Sequence, residues 1–393
     1  MKIAIMGFGV VGSGVGEILL NNGDGVAQKA GDKIEVKYIL DLRDFPDSPY
    51  KCFIKDFDTI LNDPEIEAVV EAMGGTVPAY DFTKRLLLAG KSVVSSNKEL
   101  VARHGTELIQ IAKRKSVNYL FEASVGGGIP IIRPLISSLT GNDITGILGI
   151  LNGTTNYILT QMIKFGKSFP EALSEAQEKG YAEKDPTADV EGIDTCRKIA
   201  ILASLAFSKY VDSTKIPTEG ITKVTLEDAS YAQKMGYSVK LIGECKKAEN
   251  GVYARVCPAF INFDNPLANI SDVFNGILVQ GDSLGDVMFY GRGAGKLPTA
   301  SAMVSDLVDV AKHQNINIRI LWEESQEGYL LDGAAQKYKY YLRIKGSDAP
   351  SGAVVLPDKT DEYAIITEEM NEAELGEFIK KNSYSILGKI RVI

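Results

Sequence analysis

Histidine and cysteine are scarce in this sequence of 393 residues, which contains two of the former and four of the latter. The four cysteines lie far apart and form no C-x-x-C pair: Cys52, Cys196, Cys245 and Cys257. These numbers and spacings exclude a disulfide framework and a zinc site. Whatever chemistry the chain performs must therefore use lysines, carboxylates and a cofactor.

Long apolar runs and an excess of positive charge are also missing. No uninterrupted apolar stretch approaches the roughly 20 residues that a membrane-spanning helix needs. The net charge of −8 argues against a nucleic-acid partner, because a phosphate backbone demands a basic face. An apolar strand is expected from residue 2, where a signal peptide would carry its positive n-region. We therefore expect a cytoplasmic protein of two or three domains that contacts neither membrane nor nucleic acid.

The first twenty residues, MKIAIMGFGVVGSGVGEILL, carry a glycine-rich turn between an apolar strand and a helix. This is the context in which G-x-G-x-x-G indicates dinucleotide binding. Gly7 allows the tight turn, Gly9 lets the backbone approach the pyrophosphate, and Gly12 permits close packing of helix on strand. The predicted contacts of the cofactor are Gly7, Gly9, Val10, Val11 and Gly12. The alternative is a strand-to-helix turn that holds no ligand.

The second strand, predicted over residues 34–40, ends at the residues that choose the nucleotide. A polar, glycine-containing connection is predicted before it, from Asn21 to Lys33. Asp41 favours NAD, because a carboxylate accepts hydrogen bonds from the ribose hydroxyls, whereas Arg43 favours NADP through its 2′-phosphate. The two signals conflict, and a solvated turn is a third interpretation.

Further strands and a helix follow in the order of a doubly wound sheet. The apolar run of residues 68–72 indicates a buried parallel strand whose end, at Gly74, opens onto the cofactor. A helix is predicted over residues 79–88 and a strand over residues 92–95. Lys98 follows that strand, where a side chain can reach the nicotinamide, although most lysines at such positions are simply solvated.

A strand over residues 119–122 leads into the segment ASVGGGIP. Three glycines before a proline favour a tightly coiled loop with inward-pointing carbonyls. Such a loop is able to coordinate a monovalent cation, although a plain turn is the commoner outcome.

The most informative segment is residues 176–198, AQEKGYAEKDPTADVEGIDTCRK. Asp194 and Lys198 lie four apart, on one face of a predicted helix. The apolar run IAILASLAF that follows predicts burial of this helix, and buried charges need partners. Upstream, Glu183, Asp185 and Asp189 crowd a loop suited to binding a substrate ammonium group. The competing interpretation is a surface ion pair beside a solvated acidic loop.

The ordered motifs GFGVVG, MGG, SSNKEL, FEASVGGGIP, LNGTTNYIL, GYAEKDPTADVEGIDTCRK and GRGAGKLPTASAMVSDL resemble homoserine dehydrogenase over residues 1 to about 312. The resemblance implies NAD(P)-dependent interconversion of L-aspartate 4-semialdehyde and L-homoserine, a step towards threonine and methionine. It implies a homodimer or homotetramer. The implied fold is α/β, with a Rossmann-type doubly wound domain over residues 1–133, completed by residues 298–320. An α+β substrate and dimerisation domain over residues 134–297 accompanies it.

The resemblance also assigns roles to single residues. Lys198 matches the catalytic lysine, Asp194 the carboxylate that orients the substrate or that lysine, and Lys98 a second active-site lysine beside the cofactor. The positions that match the substrate-binding loop and its contacts are Thr154, Gly180, Glu183 and Asp189. Gly293 and Gly295 match the stretch that closes over the cofactor. The carbonyls that match a structural sodium site belong to Glu122, Val125, Gly127 and Ile129.

The end of the chain departs from the commoner bacterial pattern of the family, which carries an ACT regulatory domain. Residues 337–345 resemble its first strand, and residues 361–393 its last strand, helix and strand, with the helix at residues 372–381. Only residues 346–360 separate the two pieces, too few for a helix and two strands. We therefore expect a shortened ACT-like module over residues 337–393, with threonine control in doubt.

Two rival functions are open at this point. A semialdehyde dehydrogenase that works through a thioester needs an activated cysteine with a histidine nearby. Cys196 lies on another face of the Asp194 helix, and neither histidine has a natural pairing with it. A non-catalytic cofactor sensor is the second rival, and loss of either lysine or of Asp194 would have favoured it. All three residues are present.

Overall fold

The computed structural model describes all 393 residues. Its strands are β1 (Lys2–Met6), β2 (Glu35–Leu40), β3 (Phe53–Ile54), β4 (Ile66–Glu71), β5 (Ser92–Ser95), β6 (Tyr119–Leu120), β7 (Ile144–Ile150), β8 (Tyr237–Ala248), β9 (Gly251–Asn262), β10 (Phe274–Gly281), β11 (Gly285–Arg292), β12 (Lys339–Lys345), β13 (Glu362–Ile366) and β14 (Ser385–Val392).

The helices complete the secondary structure. They are α1 (Val10–Asn21), α2 (Gly23–Ala30), α3 (Phe57–Asn62), α4 (Ala79–Leu88), α5 (Lys98–Lys115), α6 (Gly153–Phe165), α7 (Phe169–Glu178), α8 (Thr187–Val190), α9 (Ile193–Ala206), α10 (Leu226–Lys234), α11 (Lys296–Lys312) and α12 (Glu372–Lys381). None of these helices combines the length and the apolar character that crossing a bilayer demands.

The chain divides into two compact units. The first comprises Met1–Asp143, Ala200–Ser213 and Gly291–Gln326, and the second comprises Ile144–Ile199, Thr214–Tyr290 and Glu327–Ile393. Each unit contains one sheet, and the two units are described in turn.

The sheet of the first unit is parallel throughout, with strand order β3-β2-β1-β4-β5-β6. Its central strands β1, β4 and β5 are almost entirely buried, as expected for a parallel sheet. The order reverses between β1 and β4, and ligands of doubly wound sheets bind beyond the carboxyl ends of the strands at such a point. The predicted Rossmann-type architecture is confirmed, and helix α11 packs against α1 within this unit.

Two local predictions in this unit are wrong. The strand expected over residues 119–122 ends at Leu120, and Glu122 begins a short 3-10 turn. The polar connection predicted for residues 21–33 contains helix α2, which packs against α1 and α11. Val26 and Ala30, four residues apart, share its buried face. Gly31 ends the helix with φ of 79° and donates its N–H to the carbonyl of Ala27 at 2.9 Å. Two buried side chains and a glycine stop are a weak pattern, which is why composition pointed to a loop.

The sheet of the second unit is mixed, with order β11-β10-β7-β8-β9-β14-β12-β13. Along the sheet order β10-β7-β8-β9, each strand pairs antiparallel with its neighbour, and β9 pairs in parallel with β14. Apolar side chains of β7, β8, β9 and β10 and of the short helical turn Pro266–Asn269 form one buried cluster. The site residues of this unit lie where β7 ends and α6 begins.

The C-terminal strands extend this second sheet. Strand β14 joins β9 through the Cα pairs Arg391↔Ala259 and Val392↔Phe260, and β12 pairs antiparallel with both β14 and β13. The predicted helix over residues 372–381 is present with those bounds. An ACT-like character of this segment is not confirmed, because its strands continue the sheet of the second unit, and it stays a prediction.

Candidate active site

The glycine turn after β1 is fixed by close contacts within the first unit. Gly7 has φ of 88°, and a Cβ atom added there would lie 2.7 Å from the carbonyl oxygen of Ala72. A Cβ atom added at Gly12 would overlap the carbonyl oxygen of Gly7. Glycine is therefore required at both positions by the packing of strand, turn and helix, whether or not a ligand binds.

Gly9 differs, and it shows that the turn fits a dinucleotide. A Cβ atom added at Gly9 would meet only the Arg43 guanidinium, at 3.7 Å, so protein packing does not require glycine there. Helix α1 begins at the next residue with no side-chain cap and no acidic residue in its first turn. Open space beside a helix N-terminus without a carboxylate suits a pyrophosphate.

Asp41 and Arg43, whose signals conflict in the sequence, bind each other in the structure. The guanidinium donates from Nε to Oδ1 at 3.0 Å and from Nη2 to Oδ2 at 2.8 Å. Asp41 Oδ2 also accepts the N–H of Phe8, which belongs to the glycine turn, at 2.8 Å. The Arg43 hydrogen bonds hold the pKa of the Asp41 carboxyl well below its usual range. The pair is part of the turn, and the choice of nucleotide is open.

The ends of β4 and β5 form a second part of this site. Glu71 is fully buried, accepting the Ser95 hydroxyl at 2.5 Å and the N–H of Met73 at 3.0 Å. Burial raises the pKa of Glu71 above its usual value. Asn97 donates to the carbonyl of Gly75 at 2.5 Å and caps α5 by accepting the N–H of Leu100 at 3.1 Å. These contacts fix the Met73-Gly74-Gly75 turn and the first residue of α5, Lys98.

The glycine-rich loop after β6 is held rigidly within the same unit. The Glu122 carboxylate accepts the N–H groups of residues 131, 132 and 133 at 2.7, 2.8 and 2.7 Å. Gly127 has φ of 57°, and a Cβ atom there would overlap the backbone of Gly293. Gly295, with φ of 117°, precedes α11. No group of three or more His, Cys, Asp or Glu side chains able to hold a metal ion occurs in the structure. The four carbonyls assigned to sodium stay a prediction.

In the second unit Asp194 and Lys198 form the buried ion pair that the sequence predicts. Lys198 Nζ lies 2.8 Å from Asp194 Oδ2, and the two residues are 7% and 3% exposed. The ammonium also donates to the carbonyl of Leu151, the residue after β7, at 2.8 Å. An ion pair this well buried is expensive to desolvate and gives little net stability, which favours a functional explanation.

Asn152 is a site residue that the sequence analysis did not identify. Its amide Nδ2 donates to Asp189 Oδ1 at 2.6 Å and to Asp194 Oδ2 at 2.9 Å. Its Oδ1 caps helix α6 by accepting the N–H of Thr155 at 2.8 Å. An asparagine directly after an apolar strand and before Gly-Thr-Thr is a helix N-cap signal that would have placed it at this junction.

The acidic loop between α7 and α9 is tied to the same junction. Thr154 Oγ1 donates to the carbonyl of Tyr181 at 2.7 Å. Gly180, with φ of 72°, lets the chain leave α7. Glu183 is exposed, and its backbone carbonyl accepts from Gln177 Nε2 at 3.0 Å. The structure thus brings Thr154, Asp189, Asp194 and Lys198 together through residues 151–154, with Glu183 on the surface of the same loop.

The assigned site residues are shared between the two units. The glycine turn, Lys98 and the loop of residues 122–129 belong to the first unit, and Asp194, Lys198 and the acidic loop belong to the second. No cysteine forms a disulfide, and Cys196 is buried and lies between Asp194 and Lys198 in the sequence of α9. The roles of all these residues stay predictions.

A parallel sheet of order 3-2-1-4-5-6, with a dinucleotide turn at its switch point and a buried lysine in a second unit, defines a two-unit nicotinamide-dependent dehydrogenase. Residues 7–122 match the family model "Homoserine dehydrogenase, NAD binding domain", and residues 130–308 match the model "Homoserine dehydrogenase". The chain belongs to the homoserine dehydrogenase family.

Individual relatives agree with the family models. A homoserine dehydrogenase of Pseudomonas aeruginosa is 39% identical over 386 residues, which cover 96% of this chain and 89% of the relative. The crystal structure of the Thiobacillus denitrificans enzyme is similar with a TM-score of 0.90 at 34% identity, covering 100% and 98% of the two chains. A hyperthermophilic archaeal homoserine dehydrogenase in complex with NADPH has a TM-score of 0.66 at 28% identity, covering 79% of this chain and 97% of its own. The chain is thus an oxidoreductase with an NAD(P)-binding domain.

Proposed function

We propose that this enzyme interconverts L-aspartate 4-semialdehyde and L-homoserine with NAD(P)(H), in the biosynthesis of threonine and methionine. The observation that carries the proposal is the buried Asp194–Lys198 pair, held by residues 151–152 at the end of β7. Reduction of an aldehyde needs a proton donor for the developing alkoxide, and a desolvated ammonium is suited to that task.

The nicotinamide ring supplies or accepts the hydride when the cofactor is bound. Lys198 is the proposed proton donor in the direction of homoserine, and its neutral amine accepts the hydroxyl proton in the reverse direction. Its positive charge also stabilises the negative charge that grows on the carbonyl oxygen. Asp194 fixes the amine in one position through the 2.8 Å contact. Lys98, the first residue of α5, is proposed as a second cation beside the nicotinamide.

The substrate carries an ammonium group, and the acidic loop offers carboxylates to bind it. We assign this contact to Glu183, which is exposed and therefore accessible, with Asp189 in the same loop. Thr154 and Gly180 hold the ends of the loop, through the carbonyl of Tyr181 and the left-handed backbone after α7. Carboxylates in this arrangement favour an amino acid over an uncharged aldehyde.

Both NAD and NADP are candidates for the cofactor, because Asp41 and Arg43 bind each other and neither side chain is committed to a nucleotide. NADP requires Arg43 to turn from Asp41 to the 2′-phosphate, whereas NAD requires Asp41 to accept the ribose hydroxyls. Arg43 is well exposed, with 64% of its side chain accessible, which leaves it room to turn. An assay with each nucleotide decides between them.

Three further properties belong to the proposal. The carbonyls of Glu122, Val125, Gly127 and Ile129 hold a sodium ion, supported by the rigid glycine-rich loop that presents them. The protein forms a homodimer or homotetramer, supported by its resemblance to the family. It works in the cytoplasm, supported by four cysteines none of which forms a disulfide in the structure.

Substitution of the two proposed functional groups tests the assignment. Lys198→Ala should lower turnover of homoserine roughly 10²- to 10⁴-fold, the usual contribution of a general acid or base, with nucleotide affinity unchanged. Glu183→Ala should instead raise the KM for homoserine and leave nucleotide affinity alone. Both effects are measured by following nicotinamide absorbance and by titrating nucleotide binding.

The matched control is Arg85→Ala, which removes two exposed ion pairs, one with Asp58 at 2.5 Å and one with Asp81, four residues earlier on α4, at 3.8 Å. This change should leave both constants at the wild-type values, because exposed pairs contribute little. Retained turnover in Lys198→Ala would refute the assignment of the proton donor. An unchanged KM in Glu183→Ala would remove that residue from the substrate site.

A further inference from the structure

Residues 151–154, at the junction where β7 ends and α6 begins, contact every segment of the proposed substrate site in the second unit. The carbonyl of Leu151 accepts from Lys198, Asn152 donates to Asp189 and Asp194, and Thr154 donates to the carbonyl of Tyr181. Of these four residues, only Asn152 contacts both the acidic segment and helix α9 through its side chain. It is 5% exposed, so water does not substitute for its hydrogen bonds.

We propose that Asn152 is the positioning residue of this active site: its amide holds Asp194 against Lys198 and, with the same nitrogen, holds Asp189 in the ammonium-binding loop. The inference rests on the proposed function and deepens it. It joins the proton-transfer pair and the substrate-binding loop through one side chain, so that neither is placed independently of the other.

Asparagine is the side chain whose chemistry fits this position. Its Oδ1 accepts the N–H of Thr155, which an N-cap must do, while the two hydrogens of Nδ2 reach two different carboxylate oxygens. If the amide were flipped, Nδ2 would point at the N–H of Thr155 and Oδ1 would point at two carboxylates, which are unfavourable contacts. The hydrogen-bond network therefore admits only one orientation of the amide. Aspartate keeps the cap and adds a third carboxylate, whereas serine keeps the cap and has a single, short-reaching donor.

Asp194 Oδ2 connects this amide to the reacting group. It accepts from Asn152 at 2.9 Å and lies 2.8 Å from Lys198 Nζ, so both partners bind one oxygen. Without the amide, Asp194 Oδ2 loses one of these two contacts, and Asp189 loses the donor that links it to Asp194. Misplacement of a reacting group by about 1 Å costs on the order of 100-fold in rate.

Two variants of the full-length enzyme separate positioning from capping. Asn152→Ser should keep helix α6 capped and the melting temperature near the wild-type value. It should lower kcat/KM for homoserine roughly 100-fold, through both kcat and KM, with KM for the nucleotide unchanged. Activity is referred to folded protein, counted by nucleotide binding, so that a loss of folded enzyme does not imitate a loss of rate.

Asn152→Asp adds a second measurement, the pH profile of the reaction, which would not change if Asn152 had a purely structural role. The charged groups that meet at the amide are Asp189 from α8 and Asp194 from α9, with Lys198 beyond Asp194. A third carboxylate favours the protonated lysine, so the acid limb of the pH profile for homoserine oxidation should move up by about one unit or more. Asn371→Asp, the same change at the N-cap of α12, is the control and should leave the profile unmoved.

A wild-type rate in Asn152→Ser together with an unmoved acid limb in Asn152→Asp would reduce Asn152 to a helix cap and overturn the inference. The proposed function fails in a different way, namely by absence of nucleotide-linked oxidation of homoserine in the wild-type enzyme. Failure of the inference is therefore measured in the Asn152 variants, and failure of the proposed function is measured in the wild-type enzyme.

Discussion

Gly9 and Gly12 lie three residues apart in one turn, and the structure gives them different tasks. At Gly12 a Cβ atom would overlap the carbonyl oxygen of Gly7, so the protein's own packing needs the glycine. At Gly9 the nearest atom to an added Cβ is the mobile end of Arg43, at 3.7 Å. Backbone φ at Gly9 is −76°, which any residue adopts. Protein packing therefore does not explain the glycine at position 9, whereas the proposed dinucleotide does.

Alanine at each position should separate these two tasks. Gly9→Ala should leave the thermal stability unchanged and weaken NAD(P) binding tenfold or more, about 1.4 kcal/mol, because the methyl group occupies the pyrophosphate's place. Gly12→Ala should instead destabilise the protein by about 1–3 kcal/mol through overpacking. Calorimetric titration and thermal unfolding measure the two effects. Normal nucleotide affinity in Gly9→Ala would mean that the cofactor does not use this turn.

At the scale of single elements, α2 shows how little sequence signal a helix needs. The helix has eight residues, and only Val26 and Ala30 are buried in it. Gly31 ends it in the left-handed conformation, with open space around the position of an added Cβ. Any cost of substitution at Gly31 is therefore conformational and not steric.

Substitutions at Gly31 should follow backbone preference alone. Gly31→Ala should lower the free energy of unfolding by about 1–2 kcal/mol, the cost of a Cβ atom in the left-handed region. Gly31→Asn should cost less, because asparagine tolerates that region. Gly23→Ala, at the other end of α2 with equal space and no positive φ, is the control and should cause no loss. Equal effects at the two glycines, measured in urea, would contradict the assigned helix end.

Elements with strong periodicity and clear ends were predictable from the sequence. Helices α4 and α12 have the bounds that the pattern predicts, and α12 begins with a capping box of Asn371 and Glu374. Helix α2 was missed because three glycines and few apolar residues resemble a loop. Weak local patterns become helices when neighbouring elements cover them, as α1 and α11 cover α2.

The candidate site divides in the same way. The buried Asp194–Lys198 pair was predictable, because a spacing of four within an apolar helix fixes both contact and burial. The bridge made by Asn152 was not predictable, because its partners Asp189 and Asp194 lie 37 and 42 positions further along the sequence. The mutual pairing of Asp41 and Arg43 was also missed, since each residue was assigned to a different nucleotide. Side-chain bonds across elements depend on tertiary packing, which no local pattern reports.

At the scale of the whole molecule, the C-terminal segment from β12 to β14 is built into the second sheet. Strand β14, which comes last in the sequence, lies between β9 and β12. Strands β12 and β13, which follow β14 in the sheet order, and helix α12 contribute to a separate cluster of buried side chains: Tyr338, Tyr340, Leu342, Ile344, Tyr363 and Leu375. The NADPH-bound archaeal relative is almost fully covered by about four-fifths of this chain. The family fold is thus compatible with a shorter chain.

This strand order predicts that a small C-terminal deletion is more harmful than a large one. Removal of residues 385–393 takes β14 away and leaves β12, β13 and α12 without the strand that joins them to β9. Leu342, Ile344 and Leu375 would lose part of a burial worth about 1.5–3 kcal/mol each. Removal of residues 337–393 deletes that cluster together with its strands. The apolar surface that it uncovers includes the edge of β9 with Phe260, and Tyr231 of α10, both of which pack against Tyr341.

We therefore expect the shorter deletion to give less soluble protein, stronger binding of a hydrophobic dye and a lower melting temperature than the longer deletion. Leu387→Ser, at an exposed position of β14, is the control and should match the wild-type protein, because it leaves the strand pairing intact. The hydrogen bonds of Arg343 and Tyr341 with Asp228 would still hold part of the remaining C-terminal segment in place after the shorter deletion. They therefore limit the expected difference in stability between the two deletions. If the longer deletion proved the less stable of the two, the C-terminal strands would be structural supports of β9, and the site beyond β7 would depend on them.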